Sequence, residues 1–275
     1  MFSELRHFLL VADRASFTGA ARAAHLTQPA LSASIRRLEQ DLGTRLFDRG
    51  RRGAVLTATG RALLPRARAA LSAVEDARRA VREVEDLTRG EVRIGAGSTT
   101  ATYLLPPVLA RFRRRYPGVR IVLRELSREA AAEAIDAGTL DLAVTTGPGG
   151  EPWRDDAFIL VGASGAKLAG ARFITFPEGS ATRVALDRHF PDAEIVMELF
   201  SIAAIKGHVA EGIGVALISR TAVERDLAAG RLVKLRHPAT PIARELVLLH
   251  RGLDHLPPAA AAVRELLLAS RATGR

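Results

Sequence analysis

A chain of 275 residues, 48% of them apolar, is long enough for two domains with buried cores. The absence of cysteine excludes disulfides and thiolate-held metals. No run of 18 or more apolar residues occurs, and Glu4, Arg6, His7 and Asp13 interrupt the amino-terminal apolar positions, so neither a membrane span nor a secretory signal is expected and the chain reads as a soluble, cytoplasmic protein. The formal net charge is +10 and sits mostly at the front, where residues 1–70 hold 12 arginines against 5 acidic residues. Such an excess suits a polyanionic partner, although a solvated arginine-rich surface has the same composition.

Leu5, Phe8, Leu9 and Ala12 fall at i, i+3, i+4 and i+7 and predict a first helix. Ser16 is placed to cap a second, short helix with Ala20, Ala21 and Ala24 inward. Thr27-Gln28-Pro29 opens a third, with Pro29 in the first turn, where its missing N–H costs nothing. Leu31, Ile35, Leu38 and Leu42 form its predicted buried stripe, and Gly43 is placed to end it. Two helices, a tight turn and a longer helix opening on small polar groups predict a helix-turn-helix for double-stranded DNA. Thr27, Gln28, Ala30, Ser32, Ala33, Ser34, Arg36 and Arg37 fall on the exposed face of the third helix. Gln28 suits adenine, Ala30 or Ala33 a thymine methyl, and Ser32 or Ser34 base edges or phosphate. Residues 46–57 read as a wing whose Arg49, Arg51 and Arg52 reach phosphates or the minor groove.

The run AARAAHLTQPALSASIRRLEQDLGTRLFDRGRRGAVLTATG resembles the DNA-binding domain of LysR-type transcriptional regulators. Paired alanines, T-Q-P-A-L-S, I-R-R-L-E, L-G-x-x-L-F-x-R and L-T-x-x-G occur in order and at that family's spacing. The resemblance implies three parts. These are a winged helix-turn-helix over 1–58, a linker helix over 59–89, and a two-lobed, periplasmic-binding-protein-like α/β regulatory domain over 90–275.

Thr59 is a natural cap for the long helix. Leu63, Ala67, Ala70, Val74, Ala77, Val81 and Val84 follow alternating spacings of four and three, an unbroken heptad seam. It needs a partner, either a second copy or the chain's own body. The resemblance implies pairing into homodimers and dimer-of-dimers tetramers, and RNA polymerase is a further candidate partner.

From residue 91 strands and helices alternate. Strands are predicted at 92–95, 119–126, 140–145, 172–176, 195–199 and 213–218, and helices at 101–115, 128–137, 181–190, 202–211 and 220–229. This alternation predicts a mostly parallel sheet in two small lobes. Ligands of such sheets bind beyond strand carboxyl ends, at helix amino termini. Ser98, Thr99 and Thr100 occupy one such place, Gly179, Ser180, Thr182 and Arg183 another, Ser201 a third, and Thr145 and Thr146 end a further strand. N–H groups, hydroxyls and one arginine favour a small anionic effector, though each hydroxyl taken singly is also an ordinary cap. G-S-A-T-R resembles the G-S-G-T-R segment of a branch of the family whose members often regulate sulfur assimilation or carbon fixation. The segment 162–171 looks shortened against the family pattern, which puts one wall of the cleft in question.

Enzyme signatures fail. Gly95-Ala96-Gly97 begins a dinucleotide fingerprint, but Thr100 stands where its third glycine belongs. There is no P-loop, HExxH or G-x-S-x-G, and the seven histidines lack ligand spacing. No catalytic residue, metal or cofactor is expected. Arg111, Arg113, Arg114 and Arg115 read as a solvated helix end, where cations suit the dipole. A solute-binding protein would lack the head, and a DNA-packaging protein would not need a cleft.

Overall fold

The computed structural model describes the backbone of residues 1–50, 53–85 and 90–273, with side chains in those stretches except at 49–50, 79–85 and 272–273. The chain divides into two compact units, Met1–Val84 with Asp136–Thr139, and Glu85–Ile135 with Leu140–Arg275. No described helix is long and apolar enough to cross a membrane.

The first unit is helical apart from one hairpin. Helix α1 (Phe2–Arg14) buries Leu5, Phe8 and Val11. Helix α2 (Phe17–Ala23) starts where the Ser16 hydroxyl accepts from the Gly19 N–H at 3.1 Å. Helix α3 (Gln28–Asp41) is capped by Thr27, whose hydroxyl accepts from the Ala30 N–H. It ends before Gly43, whose φ of +66° is the left-handed conformation that glycine adopts without strain. Leu42, expected in the buried stripe, is 44% exposed, because the helix is already terminating there.

Strands β1 (Phe47–Gly50) and β2 (Gly53–Leu56) form an antiparallel hairpin. Phe47 closes the core, its ring 5.4 Å from Phe8 and 5.5 Å from Phe17. Glu39 on α3 fixes the start of the hairpin by accepting from the Leu46 N–H at 2.9 Å. Helix α4 (Ala58–Glu85) is capped by Thr57, not by Thr59. The Thr57 hydroxyl accepts from the Gly60 N–H at 3.0 Å, while Thr59, inside the first turn, donates to the Arg45 carbonyl at 2.7 Å. A Cβ on Gly60 would lie 2.2 Å from the Leu46 carbonyl oxygen, so only glycine lets α4 approach the hairpin this closely.

The second unit has two lobes. In the first, parallel strands run β4 (Val119–Glu125), β3 (Gly90–Ala96), β5 (Leu142–Thr146), and β11 (Ile242–Leu249) adds antiparallel to β5. Strand β6 (Glu151–Gly162) pairs with β11 along its first half, then with β9 (Ala216–Ser219) and β10 (Val233–Leu235) in the second lobe. Strands β7 (Phe173–Thr175) and β8 (Ile195–Glu198) pair in parallel beside them. The mostly parallel sheet expected from alternation is therefore corrected to a mixed one. The chain leaves the first lobe on β6 and returns on β11, so these strands must run antiparallel.

A π-helical turn, Thr100–Leu104, leads into α5 (Leu105–Arg115). Helix α6 (Arg128–Asp136) follows β4, and α7 (Ala181–His189), α8 (Ile202–Ala210) and α9 (Arg220–Ala228) belong to the second lobe. Helix α10 (Pro258–Ala269) returns to the first, where Val263 and Leu267 join Ile94, Phe112 and Trp153 in one core.

Candidate nucleic-acid interface and ligand cleft

On α3 the structure separates the expected reading residues. Thr27, Gln28, Pro29, Ala30 and Arg36 are exposed, and Ser32 and Ala33 are half-buried. Gln28 and Ser32 are linked, the amide donating to the hydroxyl at 3.2 Å. Ser34 is a correction. It is 2% exposed and lies 2.7 Å from Nδ1 of His7 on α1, so it braces two helices from inside and presents nothing to a groove. Arg49, Arg51 and Arg52 lie outside the described side chains.

The α4 seam also divides. Ala67 belongs to the head's own core, and Leu63 and Ala70 pack against it. Val74 is half-buried and Ala77 exposed, while the side chains of Val81 and Val84 lie outside the described residues. An unbroken seven-residue seam free for a partner is thus corrected: its first turns are occupied by α4's own domain.

In the second unit a cavity of 560 Å³ opens between the lobes. Ser98, Thr99 and Thr100 line it from the end of β3, Thr145 and Thr146 from the end of β5, and Gly179, Ser180 and Thr182 from the turn into α7. Chain positions more than eighty residues apart thus meet because each follows a strand's carboxyl end. The Ser180 hydroxyl also caps α7, accepting from the Arg183 N–H at 3.1 Å.

Two expected residues are not in the lining. Ser201 caps α8 through the Ala204 N–H, leaving its neighbour Phe200, 86% exposed, to face the cavity. Arg183 is held by Asp187 at 2.8 Å, by Glu198 and by Glu178 at 3.8 Å. Hydrogen bonds to Asp187 and Glu198 push its pKa further up, and its charge is already matched. No residue of the shortened segment 162–171 lines the cavity.

The cations facing the cavity are Arg128 and Arg244. Arg244 on β11 sits opposite Asp156 on β6, its Nε donating at 2.8 Å, with its guanidinium carbon 4.2 Å from the Phe158 ring centre. Burial alone would raise the Asp156 pKa, but the Arg244 charge and the hydrogen bonds from Ser219 and Arg244 hold it below its usual value. Arg128, at the start of α6, donates to the carbonyls of Thr146 (2.6 Å) and Pro148 and to no carboxylate among the described residues. Its charge is therefore not neutralised. Arg128 had a legible signal, since Ser127-Arg128 follows a predicted strand and opens a predicted helix. Arg244 had none, because 242–249 was not recognised as a strand.

Comparison with known proteins completes the assignment. Residues 2–61 match the bacterial regulatory helix-turn-helix protein, lysR family, and residues 85–272 the LysR substrate binding domain. A RuBisCO operon transcriptional regulator of Allochromatium vinosum is 31% identical, covering 98% of this chain and 96% of the relative. The HTH-type transcriptional regulator CbbR of Rhodospirillum rubrum is 33% identical over 98% of this chain and 96% of its own. The full-length structure of CbnR complexed with its target DNA shares the fold, with a TM-score of 0.68 at 22% identity over 98% of this chain and 99% of that one. The helix-turn-helix head, the two-lobed domain and both family matches agree: the chain belongs to the LysR family, as a DNA-binding transcriptional regulator, not an enzyme, with a substrate-binding domain.

Proposed function

We propose that this regulator is a cytoplasmic homo-oligomer whose binding to double-stranded DNA responds to a small anionic effector in the inter-lobe cleft. The observation that carries the effector class is Arg128. It faces a 560 Å³ cavity with its charge unmatched, while Arg183, Arg244 and Arg93 are each matched by a carboxylate. Hydroxyls of Ser98, Thr145, Thr146 and Thr182 surround the space. Charge-assisted hydrogen bonds from such a set favour a carboxylate, phosphate or sulfur oxyanion. The wall also carries Glu125, Glu129 and Glu178, which repel a second negative charge and so restrict where the anion sits.

In the head, Gln28, Ala30 and Ser32 read base edges and Arg36 binds phosphate, with Arg49, Arg51 and Arg52 assigned to the backbone or minor groove. Pairing is assigned to α4 beyond the turns that its own domain covers, from Val74 and Ala77 through Val81 and Val84. The effector acts by preferring one arrangement of the subunits, which changes the spacing of two heads on DNA.

Calorimetry of the full-length protein with a panel of small carboxylates, phosphates and sulfur oxyanions tests the effector class. Saturable binding by a panel member, weakened about tenfold or more by Arg128→Gln, is expected from the loss of a charge-assisted contact. No binding by any anion, or unchanged binding in Arg128→Gln, contradicts it.

A further inference from the structure

We infer that Phe200 determines which anions the inter-lobe cleft accepts, selecting a carboxylate with an apolar body over a bare oxyanion; this rests on the reading of the cleft as an anion site. Phe200 is 86% exposed, whereas Phe112, Phe158, Phe173 and Phe176 of the same unit are each 7% exposed or less. Its loop is nonetheless held on both sides. The Leu199 N–H donates to the Thr175 carbonyl at 2.9 Å, and the Ser201 hydroxyl accepts from the Ala204 N–H at 3.4 Å. The chain bends at Phe200 between these anchors. Leu199 packs on the core of the second lobe, while Phe200 joins the lining of the cavity. The exposure of this ring is therefore set by the fold of its loop.

A single exposed apolar side chain on an open surface needs no explanation. Phe200 instead shares a cavity with Arg128, whose charge no carboxylate among the described residues matches, and with Thr99, Thr145 and Thr182. These threonines are each more than nine-tenths buried, and their hydroxyls bond nothing among the described residues. The lining thus offers a cation and hydroxyls for one carboxylate, and an apolar surface from Phe200, Phe176 and Leu246. A bare oxyanion satisfies only the first set. The volume of 560 Å³ lies within the range of about 300–1,000 Å³ usual for sites that take small organic molecules. An apolar body laid against the Phe200 ring takes both surfaces out of water, and a flat one also gains the offset contact that aromatic rings favour. Glu125, Glu129 and Glu178 in the wall disfavour a second negative charge. A monocarboxylate with a ring-sized apolar body meets all of these conditions.

The test titrates benzoate, acetate and inorganic sulfate into the full-length protein by calorimetry. Benzoate is expected to bind saturably, about tenfold or more tighter than acetate or sulfate. Phe200→Ser, at a side chain whose exposure leaves folding unaffected, should weaken benzoate about tenfold, and Phe200→Tyr should restore it. Acetate or sulfate binding as tightly as benzoate, or benzoate affinity unchanged in Phe200→Ser, overturns the role of Phe200 and leaves the cleft an anion site. No binding of benzoate beside saturable sulfate binding likewise overturns the apolar selection alone. Benzamide binding as tightly as benzoate, or no binding by any anion, overturns the anion reading and this inference with it.

Discussion

His7 and Ser34 show how burial decides a residue's role. Ser34 was expected on the exposed face of α3, but it is buried against the facing His7. Ser34→Ala should therefore lower the head's stability by about 1 kcal/mol, the typical net worth of a hydrogen bond, without altering sequence preference. Gln28→Ala should do the reverse, costing about 1–3 kcal/mol at the specific site with the fold intact. Thermal melts beside titrations on specific and scrambled DNA separate the two. Burial, opposed by the nearby Glu4 charge, lowers the His7 pKa. The folded chain thus holds His7 neutral where the unfolded chain takes a proton, so its contribution is present above the ordinary histidine pKa of about 6.5 and is lost as pH falls from there to the depressed value. Melts of wild type and His7→Gln across that range should converge towards acid pH; parallel curves would contradict the assignment.

At the scale of elements, helices were legible wherever apolar spacing and a cap agreed. Ser16 and Thr27 both cap the helices they were expected to open. Thr57 was missed because a second threonine two residues on fits the same rule; both hydroxyls donate to the Arg45 carbonyl, and only Thr57 also accepts from a helix N–H, that of Gly60. The β1–β2 hairpin is why Gly60 is required. Gly60→Ala should destabilise the head by about 1–3 kcal/mol, as overpacking against backbone does, and calorimetric unfolding reads it directly. Strands β6 and β10 escaped the sequence because each is followed by another strand with no helix between; β6 also runs through Pro152, Trp153, Arg154 and Asp155 before its apolar half begins. For α4, Val74→Asp with Val81→Asp should yield monomers in sedimentation while the head stays folded, because the core-facing Leu63, Ala67 and Ala70 are untouched. Persisting dimers would reject the seam.

At the scale of the molecule, two functions rest on different physics. The head needs few base contacts and a local excess of arginine, which anchors on phosphate and carries no sequence information. The cleft needs distant loops brought to one place, and strand ends supply them. That rule read from the sequence placed Ser98, Thr145, Ser180 and Thr182 in one cavity, but it could not foresee that Arg183 would be claimed by three carboxylates and Arg128, among the described residues, by none. Charge matching is a tertiary property, set by which acids fold nearby.

In the function proposed above, paired heads read one defined site and the cleft's ligand alters the reading. Footprinting of the full-length protein on genomic DNA fragments decides it. Protection of a pseudo-palindromic region with two half-sites one helical turn or a multiple apart is predicted, lost in Gln28→Ala and altered in extent when a bound anion is present. Protection with no preferred sequence, or of a single half-site by a monomer, would contradict it.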